Sequence, residues 1–291
     1  MRLVTFVKDG ATRLGALQSG PDSQTIVDLN RADPSIPSDV IAFLAGGADT
    51  LAKAKAAVAG AGADSIVSLQ DVTLKAPVPR PGKILCIGLN YRSHAAESGV
   101  EAPAYPTVFA KYNNTIIGHG EAIVHPKNSS QVDYEAELGV VIGRTARHVS
   151  EADALQYVGG YAPFNDVSAR DFQHRTSQWT MGKTFDTFGP LGPALVTADE
   201  IPDPQTLDIR TIVGDEVLQS SNTANMIFTV AQLIADLSSV LTLEPGDLIA
   251  TGTPEGVGGA RKPPRWLKVG ETVRVEIAQL GVLENPIVAE A

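Results

Sequence analysis

Cysteine is almost absent. The single thiol, Cys86, in 291 residues excludes an internal disulfide, a cysteine-built zinc site and an iron–sulfur cluster, and it fits a compartment that keeps thiols reduced. Histidine is scarce too. Its five occurrences, at 94, 119, 125, 148 and 174, include no H-x-x-x-H pair, so a histidine-based zinc site is not expected. No stretch of about 18 uncharged apolar residues occurs, and no membrane span is expected. The N-terminal MRLVTFVKDG alternates like a strand and shows no apolar core before a small-residue cleavage site, which makes a cytoplasmic location the expectation. Positive charge is also in deficit. With 23 Lys and Arg against 33 Asp and Glu, the net charge of -10 disfavours nucleic acid and anionic membranes as partners, and any anionic ligand must meet a local cluster of cations. What is present is a globular composition, 43% apolar and 19% charged with 27 Gly and 19 Pro, long enough for one large domain or a large and a small one.

Organisation follows from periodicity. Leu3, Thr5 and Val7 alternate with Val4 and Phe6, Gly10 marks a turn, and Arg13 to Leu17 returns as the second arm of a hairpin. Ser38 reads as an N-cap before the amphipathic run Val40, Ile41, Phe43 and Leu44, with helix continuing through Ala-rich 51–59. The proline-rich APVPRPGK, 76–83, is the best boundary, dividing a small N-terminal α/β unit, 1–75, from a catalytic body, 76–291. Strands are expected at 83–91, 106–112, 137–143, 192–197, 208–219, 247–252 and 271–281, and helices at 151–158, after Ser150, and at 229–241, where Thr229 and Gln232 are spaced as a capping box. Strands without regular intervening helices argue for an α+β, mostly β body with peripheral helices rather than a doubly wound sheet.

Several motifs fail. MGKTF lacks the glycine a phosphate-binding loop needs at 177, where Ser177 stands, and neither G-x-S-x-G nor GxGxxG occurs in the required context. Cys86 sits in the apolar KILCIGL and reads as a structural thiol rather than a nucleophile.

Carboxylates carry the chemistry. In VDYEAELGVVIG, 132–143, strand alternation puts Glu135 and Glu137 on one face, an arrangement that makes sense around a cation or a shared proton; the alternative is a solvent-facing strand edge. Asp166, closing an apolar glycine-containing run, can deliver a third carboxylate. Three oxygen anions without sulfur or paired imidazole favour a hard ion such as Mg²⁺ or Mn²⁺ over zinc. His94 and Glu97, three apart, share a helix face, so the carboxylate can orient the imidazole as a general base; the alternative is a solvated helix start.

IGLNYRSHAAE, DYEAELGVVIGRTARHV, YVGGYAPFNDVSARDFQ, QWTMGKTFDTFGPLGPALV and DLIATGTPEGVG, in that order over about 80–288, resemble the fumarylacetoacetate hydrolase family, in its two-domain branch. The resemblance implies a mixed β-roll catalytic domain behind a small N-terminal domain, a homodimer, and Mg²⁺ with Mn²⁺ or Ca²⁺ as alternatives. It implies Glu135, Glu137 and Asp166 as metal ligands, His94, Glu97 and Lys183 as catalytic residues, and Arg92, Lys111, Arg170, Gln173 and Thr253 as substrate contacts or their supports. The implied substrate is a small anionic 2-oxo or 2,4-dioxo acid. Hydrolysis of a C–C bond in an acylpyruvate through a metal-stabilised pyruvate-type enolate is the first expectation, and decarboxylase, isomerase or hydratase action in aromatic or sugar-acid degradation is the second. A non-catalytic member would lack a ligand or the dyad, and all six residues are present.

Overall fold

The alternating N-terminal residues form the strand Arg2–Lys8, hairpinned onto Ala11–Leu17 in a computed structural model that describes residues 1–18, 24–97 and 99–291. Ser98, in the stretch read as a helix start, lies outside the described residues. The first helical run is capped one residue later than expected. Asp39, not Ser38, accepts the Ala42 amide, and Gly46 and Gly47 divide the run into helices Val40–Ala45 and Gly47–Ala59.

The expected strands appear with their ends moved by a few residues, except that the stretch expected as one strand over 208–219 turns at Gly214, whose φ is 60°, into the antiparallel pair Asp208–Val213 and Glu216–Asn222. An eleven-stranded sheet runs from Ile66–Ser68 through Thr25–Asp28, Ala11–Leu17, Arg2–Lys8, Leu195–Thr197, Val158–Asn165, Ala136–Ile142, Leu248–Ala250 and Ile84–Gly88 to Thr107–Lys111, with Thr73–Lys75 paired beside Arg2–Lys8. Its pairings are antiparallel except between Leu248–Ala250 and Ile84–Gly88. Arg2 opposite Val196 and Leu3 opposite Leu195 join the N-terminal strands to the same sheet.

A second sheet orders Glu216–Asn222, Asp208–Val213, Thr272–Ile277, Gly281–Ala289 and Ile123–His125. The stretch expected as one strand over 271–281 therefore ends at Ile277 and turns through Gln279, whose φ is 65°. Leu138, Val140 and Ile142 from the first sheet meet Ile209, Val275 and Leu283 from the second, and Val230, Leu233, Ile234 and Leu237 of helix Val230–Val240 close this core. That helix carries the expected capping box of Thr229 and Gln232. The segment after Ser150 is a 3₁₀-helix, Glu151–Tyr157, rather than an α-helix. A 3₁₀-helix rises about 2.0 Å per residue against about 1.5 Å, so it spans more of the distance to the strand it feeds at Val158. The architecture is mostly β with peripheral helices.

Candidate active site

The strand Val132–Asp133 breaks at Tyr134 and Glu135 before the ladder resumes at Ala136. Across that break the backbone is held by the neighbouring strand's end: Asn165 Oδ1 accepts the Glu135 amide at 3.0 Å, and the Glu135 carbonyl accepts the Asp166 amide at 3.0 Å. These bonds fix three acidic side chains at one place. One carboxylate oxygen each from Glu135, Glu137 and Asp166 lies within 4.8 Å of the others, and all three side chains are buried. The solvent-facing edge considered for Glu135 and Glu137 is therefore not what forms.

Cations hold two of the three. Lys183 Nζ donates to Glu135 Oε2 at 2.7 Å and to Asp166 Oδ2 at 2.8 Å, and Lys111 Nζ donates to Asp166 Oδ1 at 2.6 Å. Arg170 reaches Glu135 Oε1 at 2.6 Å as an ion pair without hydrogen-bond alignment, while its Nε donates to Asp133 at 2.8 Å. Burial works to raise the Glu135 carboxyl, but Lys183 and Arg170 outweigh it and hold it at about 2. Glu137 has one amide donor, from Gly252 at 2.9 Å. Burial first, then the negative charges of Asp166 and Glu135, push its carboxyl well above the ordinary range. An all-oxygen, fully buried trio with one member short of positive charge fits a hard divalent cation.

The helix Arg92–Glu97 stands over this floor. His94 Nδ1 lies 3.3 Å from Glu97 Oε2, and Glu97 is itself held by the Gly256 amide at 3.0 Å. Ser93 hydrogen-bonds Glu255, so the helix and the 253–259 loop are tied at two points. A cavity of about 680 Å³ is lined by His94, Glu97, Glu135, Glu137, Lys183 and Thr253. Val100, Phe109, Trp179, Val257 and Trp266 add apolar lining.

Arg170, Gln173 and Thr253 line this cavity, with Gln173 accepting from Arg170 at 2.8 Å. Arg92 and Lys111 do not. Arg92 is exposed, and Lys111 is enclosed behind Asp166, where Val167 accepts its second bond at 3.1 Å. Lys111 thus supports a carboxylate instead of touching the cavity. Two residues were not singled out from sequence. Asp133, fully buried, accepts from the amides of Gly258 at 2.7 Å and Gly259 at 2.9 Å as well as from Arg170. Its signal was available, because D-x-E-x-E extends the alternation of Glu135 and Glu137 by one step. Gln219 bonds Ala136 and Thr253 from the second sheet and has no counterpart in local sequence pattern.

Residues 83–288 match the family described as fumarylacetoacetate (FAA) hydrolase C-terminal. The chain is 47% identical over 264 residues to the oxaloacetate tautomerase Fahd2a, mitochondrial, of Rattus norvegicus, covering 90% of this chain and 84% of that protein. It is similar at 34% identity and a TM-score of 0.79 to 2-hydroxyhepta-2,4-diene-1,7-dioate isomerase from Mycobacterium marinum, covering 100% of this chain and 99% of that one. Maleylpyruvate hydrolase from Sphingobium sp. SYK-6, solved in complex with manganese (II) ion and pyruvate, matches at 32% identity and a TM-score of 0.82 over 100% of both chains. With residues 83–288 matched by the family model and a relative 47% identical over 90% of this chain, the chain belongs to the fumarylacetoacetate hydrolase family.

Proposed function

We propose that the chain catalyses keto–enol tautomerisation of a small anionic 2-oxo acid of the oxaloacetate type, with Mg²⁺ or Mn²⁺ held by Glu135, Glu137 and Asp166. The observation that carries this reading is the buried carboxylate trio facing a His94–Glu97 pair, in a chain 47% identical to an oxaloacetate tautomerase. It reverses the order expected from sequence, where hydrolysis came first.

When bound, a hard divalent ion supplies positive charge that draws the carboxylate and adjacent 2-oxygen of such an acid. The protein's own groups do the rest. Glu97 engages Nδ1 of His94, leaving Nε2 as the ring nitrogen for the cavity. His94 takes the proton of the enol hydroxyl and returns a proton to C3, so that the O–H bond is exchanged for a C–H bond, the double bond moves from C2–C3 to C2–O, and no C–C bond is cleaved. Arg170 and Gln173 orient the acid, and the wall of Phe109, Trp179, Val257 and Trp266 excludes water that would otherwise attack carbon. Lys183, enclosed between Glu135 and Asp166, places a fixed positive charge beside developing oxyanion charge.

The test follows the decay of enol oxaloacetate with Mg²⁺ or Mn²⁺ present. His94→Ala is expected to keep metal affinity and to lower the rate about 100-fold or more, the usual worth of a positioned acid–base group. Unchanged turnover in that variant would remove His94 from the reaction. A second reading, C–C hydrolysis of an acylpyruvate with His94 deprotonating water, draws on the cavity of about 680 Å³, roomy for a four-carbon acid, and on the likeness to maleylpyruvate hydrolase. Pyruvate released from acylpyruvates faster than enol oxaloacetate is consumed would establish it in place of the first. The buried lone thiol supports a reducing compartment, the cytoplasm by the sequence expectation or the mitochondrion by the rat relative's designation.

A further inference from the structure

Gln219, buried on strand Glu216–Asn222, makes four hydrogen bonds behind the cavity. Its Oε1 accepts from the Ala136 amide at 2.9 Å and from Thr211 Oγ1 at 2.6 Å. Its Nε2 donates to Thr253 Oγ1 at 2.8 Å and to the Pro254 carbonyl at 2.9 Å. Two of these partners have no choice of role. A backbone N–H only donates and a carbonyl only accepts, so Ala136 and Pro254 together fix which end of the amide points where.

The consequence falls on Thr253. Its oxygen accepts from Gln219, and its one proton is left to find another acceptor. Among the described residues Thr253 donates no hydrogen bond to protein, its side chain is buried, and it lines the cavity. A buried hydroxyl proton without an acceptor is unfavourable until a ligand oxygen receives it. Ala136 is also the residue between Glu135 and Glu137, so the same amide that sets the hydroxyl's polarity anchors the backbone that spaces the two carboxylates.

We infer that Gln219 is a positioning residue for ligand recognition: it compels the Thr253 hydroxyl to donate into the cavity, so the ligand atom placed there must be an acceptor, as a carboxylate or 2-oxygen of a 2-oxo acid is. The inference rests on the proposed 2-oxo acid reading and adds the residue that selects for it.

Calorimetric titration of oxalate into the Mn²⁺-loaded full-length protein tests it, with Mn²⁺ affinity measured alongside. Thr253→Val is expected to weaken oxalate about tenfold or more, the worth of one hydrogen bond to a charged acceptor, and Thr253→Ser to bind like the unaltered protein. Gln219→Glu keeps an acceptor for Ala136 and Thr211 but turns an oxygen toward Thr253, drawing its proton out of the cavity, and is expected to weaken oxalate to a similar extent. The double variant is then expected to bind no more weakly than either single one, because both remove the same donated proton. Simple charge repulsion or loosened packing at position 219 would persist in the Thr253→Val background, giving losses that multiply, and that result overturns the inference. Gln219→Met repeats the cycle without added charge should Gln219→Glu fail to fold. No oxalate binding by the unaltered protein would instead bring down the 2-oxo acid reading, and this inference with it.

Discussion

Glu135, Glu137 and Asp166 converge within 4.8 Å, and the lysines and arginine that surround them satisfy Glu135 and Asp166 far better than Glu137. In the metal-free protein this is a cost of folding that a divalent ion removes. Burial and the neighbouring negative charges raise the Glu137 carboxyl, so the folded state holds its proton more tightly than the unfolded chain does. That penalty is absent in acid and grows as pH rises above the ordinary carboxylate range. Glu137→Gln is therefore expected to raise the metal-free melting temperature by a few degrees at neutral pH, with the gain vanishing near pH 4, and to abolish stabilisation by Mg²⁺ or Mn²⁺. Scanning calorimetry with and without metal checks both signs. Cys86 lies in the same interior. Burial first, then Asp166 and Glu137, push its thiol up, and alkylation at pH 8 is expected only as fast as the protein unfolds. At this scale Glu135 and Glu137 were legible because alternation puts i and i+2 on one face, and Asp166 because it closes an apolar run. Lys111 takes the supporting one of its two expected roles, and nothing local to its strand shows that Asp166 closes over it.

Loops more than strands set the upper half of the site. Gly256 donates its amide to Glu97, accepts from Tyr134 Oη at 3.0 Å, and has a φ of 96°. A side chain there would be strained by the backbone angle and would overlap the Leu218 carbonyl. Gly256→Ala is expected to cost on the order of 1–3 kcal/mol of stability and to lower turnover by withdrawing the amide that steadies Glu97, while Mn²⁺ affinity stays unchanged. A parallel loss of Mn²⁺ affinity would show that the loop supports the carboxylates as well. Asp133 holds the other end of this loop through Gly258 and Gly259, and Asp133→Ala is expected to be more damaging, since it strands those amides and the Arg170 guanidinium together. Element types were largely readable from period where a strand buries an alternating face, as Thr272–Ile277 does, or a fully apolar one, as Ala136–Ile142 nearly does. The split at Gly46 and Gly47, the 3₁₀ winding of Glu151–Tyr157 and the final strand Gly281–Ala289 were not, because packing against the rest of the chain decides them.

The eleven-stranded sheet ends on Thr107–Lys111, which among the described residues has one hydrogen-bonded neighbour, Ile84–Gly88. An open edge of this kind needs covering or charge to prevent uncontrolled pairing. It has little charge: Val108 is exposed, Tyr105 and Tyr112 flank it at 78% and 58% exposure, and Met181, at 67%, adds to the same region from helix Thr180–Lys183. Phe109 meets Trp179 edge to face at 5.5 Å, and Lys183 Nζ lies 5.1 Å from the Phe109 ring, so this surface is one layer away from the carboxylates. A homodimer closed across this edge would bury the apolar side chains and brace the helix that carries Lys183. Sedimentation equilibrium is expected to give twice the 30.5 kDa chain mass, and Val108→Lys combined with Tyr112→Lys to give the monomer with reduced turnover and intact far-ultraviolet circular dichroism. A monomer for the unaltered chain at micromolar concentration, or a dimer indifferent to both lysines, would move the interface elsewhere. A monomer that keeps full turnover would separate assembly from the support of Lys183.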